Sequence, residues 1–187
     1  MSVRSISPIK LTTAEDLERL SLQGGHYELI RGELIEMSPA GFPHGIFTDR
    51  LTGYLRVYMD AHNLGEGTAA ETGFKIEQSP DTVMAPDWAF VAKERLPDGW
   101  EHTGYLSLVP DIVLETRSPG DGRREVADKV EAWLKAGVRI VWVLDVAART
   151  LTVHRPGKEA QTLGPTETLS GEEVLPGFTY ALNKLFR

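Results

Sequence analysis

The fold follows from one stretch of sequence, Asp111-Ile112-Val113-Leu114-Glu115-Thr116-Arg117. The apolar run before Glu115 is typical of a strand that is covered on both faces of a sheet. Glutamate is almost never fully buried without a partner. The acidic side chain of this core strand is therefore expected to be ion-paired or to hold a metal, because an isolated buried charge is costly. The simplest ionic partner is Arg117, two residues along on the same face.

A second acid occurs in a similar setting, in Pro86-Asp87-Trp88-Ala89-Phe90-Val91. Strand periodicity over residues 87–92 places Asp87 on the same face as Ala89 and Val91. One interpretation is an aspartate at the strand entrance that accepts hydrogen bonds from backbone amides, because Pro-Asp is common in turns. The other is a carboxylate that lies beside Glu115 on a neighbouring strand and shares its site.

Lys129 lies on a helix predicted over residues 123–136, which Gly137 ends. At 100° per residue the helix has one apolar stripe, and Lys129 lies on the flank of that stripe. From there its ammonium group can reach the end of the sheet. The alternative is a lysine whose stem follows the helix edge while its charge stays in water. The stripe consists of Val126, Val130, Trp133 and Leu134.

Two carboxylates and a lysine in this arrangement can form a divalent-metal site. Mg²⁺ is usually held by one or two carboxylates, with waters completing its octahedron. The metal would polarise a scissile phosphate and acidify a bound water. Lys129 would orient that water and offset the charge that builds on the phosphoryl oxygens. The residues thus predict hydrolysis of a phosphodiester bond, with Asp87 and Glu115 holding the metal.

Composition limits the class of protein. The chain has 187 residues, 41% of them hydrophobic and 25% charged, which suits one globular domain over residues 1–187. It has no cysteine, so disulfides and thiolate catalysis are excluded. Residues 1–8 lack the apolar core of a signal peptide, and no apolar run approaches the ~20 residues of a membrane span. We therefore expect a cytoplasmic protein that does not contact a membrane.

The formal net charge of −7 argues against a protein that coats DNA, since such proteins are normally basic. Any nucleic-acid binding would have to be local. Arg123 and Arg124, at the start of the predicted helix, could form a local basic patch with Arg117 and Arg139. Ordinary surface charge is the alternative, and it is the preferred interpretation for Arg139.

The order of predicted elements is a mixed α/β one, with a helix packed behind central strands. A capping box at Thr13 starts a short helix to about Leu22, and a hairpin follows with its turn at Arg31-Gly32. The end of the chain is expected to be rich in turns. The hairpin strands cover residues 26–30 and 33–37, the longest helix covers 43–63, and further strands cover 68–78, 87–92, 111–117, 138–145 and 151–154.

Several motifs follow one another in a specific order: Tyr27-Glu28-Leu29-Ile30-Arg31-Gly32-Glu33-Leu34-Ile35-Glu36-Met37-Ser38-Pro39 and then His44, Pro86-Asp87, Leu114-Glu115-Thr116-Arg117-Ser118-Pro119, Asp128-Lys129-Val130-Glu131-Ala132-Trp133-Leu134-Lys135-Ala136-Gly137-Val138, and Val141-Trp142-Val143-Leu144-Asp145. Together they resemble the Uma family, a group of bacterial restriction-endonuclease-like domains in the PD-(D/E)XK nuclease superfamily. The resemblance extends from about residue 12 to the C-terminus.

The resemblance implies a restriction-endonuclease-like α+β fold, with a mixed central sheet flanked by helices. It implies that Asp87 and Glu115 bind Mg²⁺ or Mn²⁺, and the Thr116 carbonyl is a candidate for a further ligand. It also implies that Lys129 is the catalytic lysine, because in this branch the lysine has moved from the strand to the next helix.

Two positions leave alternatives open. Glu28 resembles an additional acid that some superfamily members bring to the metal, but Glu28, Glu33 and Glu36 could equally face solvent in an exposed hairpin. Arg117 departs from the superfamily pattern, which places lysine there. Arginine stays charged and cannot act as a base near neutral pH, so Arg117 is expected to clamp a phosphate instead.

The predicted function is a metal-dependent endonuclease acting on DNA. A homodimer is expected by symmetry, because cutting both strands suits a two-fold assembly. The first alternative is a binding module that keeps the nuclease fold but does not cut, which Arg117 and the acidic net charge favour. The second is a structural subunit in which Glu115 forms only buried salt bridges.

Overall fold

The computed structural model describes residues 12–100, 104–118 and 120–187. Residues 1–11, where no leader was expected, lie outside this range. Within it the α-helices are α1 (Ala14–Ser21), α2 (Phe42–His62) and α3 (Arg123–Ala136), and none of them is both long and apolar enough to span a bilayer. The strands are β1 (Tyr27–Ile30), β2 (Glu33–Glu36), β3 (Gly65–Thr68), β4 (Phe74–Glu77), β5 (Thr82–Met84), β6 (Trp88–Ala92), β7 (Ile112–Arg117), β8 (Ile140–Asp145), β9 (Thr150–His154), β10 (Gln161–Leu163), β11 (Thr168–Ser170) and β12 (Thr179–Ala181).

The strand β7 belongs to a six-stranded sheet with the order β10-β9-β8-β7-β6-β3. β7 and β8 run parallel and are connected through α3, whereas the other neighbouring strands of this sheet are antiparallel. Parallel neighbours need a crossover of this kind because a tight hairpin cannot join them. The predicted α+β class with a mixed central sheet is confirmed.

Both faces of this sheet are covered, as the apolar run before Glu115 predicted. α2 and the C-terminal segment pack on one face, where Leu55 of α2 is fully buried. α3 packs on the other face through Trp133, together with Phe74 of β4. Because Glu115 alternates with the buried Val113 along β7, its side chain points toward α3.

A smaller sheet, with the order β2-β1-β5-β4, carries the predicted N-terminal hairpin. Its two-residue turn has Arg31 at φ 51° and Gly32 at φ 81°, as the primed turns of such hairpins require. Before it, α1 starts at a capping box in which Thr13 and Asp16 exchange two hydrogen bonds of 3.2 Å. The helix and the hairpin are both where the sequence predicted them.

The prediction of one continuous strand over residues 68–78 is wrong. β3 of the larger sheet ends at the first residue of this range, and β4 of the smaller sheet covers only residues 74–77 of it. The break includes Glu71, whose φ of 68° lies in the left-handed region that strands exclude. β3 has no apolar side chain, and a Cβ on its Gly67 would lie 2.8 Å from Met59 Cε and 3.0 Å from Trp88 Nε1. The position of β3 is therefore set by the close approach of its backbone to the core and not by a periodic pattern of apolar side chains.

The short strands β5, β10, β11 and β12 were not predicted. Each of them has only three residues, which is too short for a periodic pattern to be recognised. β5 matters most for the site, because it pairs with β1 through Leu29 and Val83 and so covers one edge of the hairpin.

Candidate active site

The predicted site residues come from four elements that meet where the two sheets adjoin. Trp88 of β6 pairs with Leu114 of β7, so one further step of this register places Asp87 opposite Glu115. Side chains at opposite positions of an antiparallel pair lie on the same face. Asp87 immediately precedes β6 rather than lying within it. The two acids are therefore neighbours, as the sequence predicted.

Lys129 of α3 points into this group. Its Nζ lies 3.2 Å from Glu28 Oε1 and 3.8 Å from Glu115 Oε2. Burial lowers the pKa of Lys129, but Glu115 and Glu28 outweigh that effect, so the pKa is raised and the amine stays charged. The lysine thus turns its charge toward carboxylates and not toward water.

Glu28 answers the question that the hairpin sequence left open. Its side chain is 2% exposed, whereas Glu33 and Glu36 on the partner strand β2 are exposed. Besides its ion pair with Lys129, Glu28 Oε1 accepts a hydrogen bond of 3.0 Å from the backbone N–H of Ala85. The structure therefore brings Glu28 to the site on β1.

Glu115 is held by a partner that sequence reasoning missed. The indole Nε1 of Trp133 donates a hydrogen bond of 2.7 Å to Glu115 Oε1. Burial raises the pKa of Glu115 to about 7, although the charge of Lys129 opposes the shift. The negative charge of Asp87 raises it further. Without a metal, this carboxyl group is partly protonated at neutral pH.

Asp87 is oriented by hydrogen bonds from two elements, β7 and α2. Its Oδ2 accepts hydrogen bonds from the backbone N–H of Thr116 at 2.6 Å and from His44 Nε2 at 3.1 Å. A backbone contact is what the strand-entrance interpretation predicted, yet both bonds use the same oxygen. No residue in the described part of the chain donates a hydrogen bond to Oδ1, which is therefore available for a ligand. The hydrogen bond to Asp87 raises the pKa of His44, and the Thr116 backbone adds to that effect.

The threonine pair Thr48 and Thr116 connects α2 to β7 beside Asp87. The two hydroxyl oxygens are 2.7 Å apart, and Thr48 Oγ1 also donates to the backbone carbonyl of His44 at 2.8 Å. This tie holds the start of α2 against the end of β7, and with it the imidazole that contacts Asp87. The sequence did not indicate that Thr48 links α2 to β7, because a polar residue near the start of a long helix is not unusual.

The three arginines predicted to bind the substrate form no ion pair with the acids of the site. Arg117 NH1 lies 2.6 Å from Asp145 Oδ2, and its other nitrogens donate to the Asp121 carbonyl at 3.2 Å and 3.4 Å. The ion pair considered for Glu115 is thus formed by Lys129. Arg123 and Arg124 are exposed in the first turn of α3. Their roles in substrate binding stay predictions.

The donor set suits a hard divalent ion held by few protein ligands. Across residues 12–100, 104–118 and 120–187, no three histidine, aspartate or glutamate side chains are grouped to hold one metal ion. Mg²⁺ does not need three, because it keeps several waters and binds through one or two carboxylates. Asp87, with Oδ1 available, and Glu115 beside it fit that requirement.

A cleft of about 770 Å³ opens on the Asp87 side of the site. Its walls come from α1, the hairpin, α2 and the turn after β3, which are far apart in the chain. No single stretch of sequence could therefore indicate it. The lining residues are Leu17, Ser21, Gly25, His26, Tyr27, Met37, Ser38, Pro39, Ala40, His44, Gly45, Thr48, Asp49, Thr52, Ala69, Ala70, Glu71, Gly73, Val83, Ala85, Asp87, Trp88 and Tyr105.

Comparison with known proteins places the chain in a family. A family profile, Uma2, described as "Putative restriction endonuclease", matches residues 14–183. The fold is similar to a crystal structure from Anabaena variabilis described as "a putative nuclease belonging to DUF820", with a TM-score of 0.76 and 18% identity over 86% of this chain and 89% of that one. No curated protein matches the chain. Since the profile covers most of the sequence, the chain belongs to the Uma2 family of restriction-endonuclease-like proteins.

Proposed function

We propose that the chain is a metal-dependent endonuclease that hydrolyses phosphodiester bonds in DNA. One observation carries the proposal: Glu28 and Glu115 lie 3.2 Å and 3.8 Å from the ammonium group of Lys129, and Asp87 lies opposite Glu115 immediately before the neighbouring strand. A buried salt bridge would need one acid for one base. A second and a third acid beside one lysine suit a divalent cation, which would hold Glu115 in its ionised form and balance the negative charge of the carboxylates.

Mg²⁺ or Mn²⁺ held by Asp87 and Glu115, with the Thr116 carbonyl as a third ligand, would polarise the scissile phosphate and acidify the attacking water. The protein residues supply position and charge. Lys129 donates a hydrogen bond to the water and stabilises negative charge on the phosphoryl oxygens. Glu28 fixes the direction of Lys129, because its own Oε1 is anchored at 3.0 Å to the N–H of Ala85. His44 holds Asp87 through its Oδ2.

Supercoiled plasmid incubated with purified protein and Mg²⁺, Mn²⁺ or EDTA tests the proposal. We expect nicking or linearisation that requires the metal and is lost in Asp87→Ala. Asp128→Ala is the control, because it removes the same charge from an exposed position on α3. No cleavage by a folded protein with either metal would contradict the proposal, provided that plasmids of varied sequence are included.

The binding module without catalysis remains the competing function, and Arg117 at the superfamily lysine position favours it. Calorimetric titration of Mg²⁺ or Mn²⁺ separates the two functions. An endonuclease binds the ion in a way that depends on Asp87, whereas a binding module that has lost the site does not.

Trp133→Phe is expected to weaken metal binding more at pH 6 than at pH 8. The indole hydrogen bond lowers the pKa of Glu115, so its loss lets the proton compete with the metal at higher pH. The metal affinity measured by calorimetry at both pH values gives the comparison.

Trp142→Phe is the matched control for that variant. Trp142 is as deeply buried as Trp133, and its Nε1 has no hydrogen-bond partner within the described chain. Both variants lose the same ring atoms from a core position. If both change the affinity equally at pH 6 and pH 8, the hydrogen bond does not set the protonation of Glu115.

A further inference from the structure

The cleft beside Asp87 has the size of a small-molecule pocket and is too small to hold a DNA duplex. Its volume is about 770 Å³, within the roughly 300–1,000 Å³ that small-molecule sites occupy. Asp87 and His44 form part of its wall, whereas Glu115 and Lys129 lie outside it. A ligand in this cleft would therefore reach the metal site from the Asp87 side.

The charge of the cleft is the wrong sign for a DNA backbone. Its ionisable wall residues are Asp49, Glu71 and Asp87 with two histidines, and no lysine or arginine of the described chain lines it. A duplex carries one phosphate charge per ~1.7 Å of axis, so surfaces that follow a duplex are basic. The wall of the cleft therefore suits an uncharged part of the substrate better than a phosphate group.

Aromatic and apolar side chains occupy much of the rest of the wall. Tyr27 and Tyr105 line the cleft with Leu17 and Met37. The hydroxyl groups of Tyr105 and Ser21 lie 3.0 Å apart at the wall and supply polar atoms there. Unpaired bases bind to such surfaces because each base has a π-face and polar edges.

We propose that this cleft holds the base of an unpaired nucleotide whose phosphate lies at Asp87, so that the preferred substrate is single-stranded DNA or an unpaired DNA end. The inference rests on the proposed function for its second half, since the phosphate is placed at the proposed metal site. An unpaired strand can turn one base into the cleft while its backbone stays in solvent. A paired base would first have to leave the stack, which costs free energy.

Two substitutions fill the cleft without touching the metal site. Ala40 and Ala70 line it and are exposed, so Ala40→Trp and Ala70→Trp place an indole in the space without disturbing the core. Ala160→Trp is the control. Ala160 is also exposed, and it precedes β10 at the edge of the larger sheet opposite to β3.

The test measures binding of a fluorescein-labelled single-stranded oligonucleotide and of the same sequence as a blunt duplex, by fluorescence anisotropy with EDTA and with Ca²⁺. We expect the single strand to bind at least ~10-fold more tightly than the duplex. Both cleft variants should weaken single-strand binding by ~10-fold or more, and Ala160→Trp should leave it unchanged. Equal affinity for both forms, no binding of either, or unchanged binding in both cleft variants would overturn the inference.

Cleavage of the same oligonucleotides with Mg²⁺ separates this inference from the proposed function. Selective binding that the cleft variants abolish, without metal-dependent cleavage, supports the base-binding cleft and defeats the nuclease proposal. Cleavage of duplex that requires Asp87 but is indifferent to Ala40→Trp and Ala70→Trp supports the nuclease and defeats the base-binding cleft.

Discussion

Lys129→Met is expected to lower the rate of Mg²⁺-dependent DNA cleavage by roughly 10²–10³-fold, the usual cost of removing one preorganised donor to a developing negative charge. The expectation follows from the position of Nζ, 3.2 Å from Glu28 and 3.8 Å from Glu115. Methionine keeps much of the side-chain length but offers no donor. The effect should appear in the rate at saturating DNA, because the missing contact is made to the reacting phosphate and water.

Lys135→Met is the matched control, since Lys135 carries the same charge on the same helix but is exposed. Single-turnover cleavage by both variants, compared at one metal concentration, gives the result. Loss of Lys129 also removes a charge that lowers the pKa of Glu115, so circular dichroism should first show that the variant is folded at the assay pH. Equal rates for the two variants would remove Lys129 from the reaction.

Glu115→Gln is expected to make the metal-free protein more stable at pH 8 while abolishing cleavage. Burial raises the pKa of Glu115 to about 7 from a usual value of 4.5. Between those values the folded chain keeps a proton that the unfolded chain has released, so stability falls as pH rises through this window. A shift of this size corresponds to about 3 kcal/mol of lost stability above pH 7, on the order of 1.4 kcal/mol per pKa unit.

Glutamine has no proton to release, so the stability of the Glu115→Gln variant should not fall as the pH rises through this window. Urea unfolding in EDTA at pH 5 and pH 8 measures it, with Glu131→Gln as the control because Glu131 is exposed on α3. Added Mg²⁺ should stabilise the wild type by binding only the folded state, and should not stabilise Glu115→Gln. A variant that is less stable than the wild type at pH 8 in EDTA would indicate a structural salt bridge with Lys129.

The acids and the lysine could be predicted because their signals are local. Glu115 ends an apolar run, Asp87 opens one, and Lys129 flanks a helical stripe, so each departs from a pattern that a short window reveals. The resemblance to the family added the order of these pieces, and the fold confirmed it. Local sequence does not indicate, however, which core residue donates a hydrogen bond to a carboxylate, so Trp133 was predicted only as part of the apolar stripe of α3.

Contacts between distant segments account for what could not be predicted. Arg117 meets Asp145 because the parallel register of β7 and β8 pairs these two residues, and no periodicity within either strand encodes that register. Glu28 is buried because β1 lies between β2 and β5, and β5 is too short to recognise. Its burial could therefore not be read from the alternation of the hairpin alone.

The ion pair between Glu28 and Lys129 joins the smaller sheet to the helix that covers the larger one. The constellation is therefore complete only when the N-terminal hairpin has docked on the remainder of the chain. A substitution that weakens the docking of the hairpin is therefore expected to release Lys129 from Glu28, even if it changes neither of these residues.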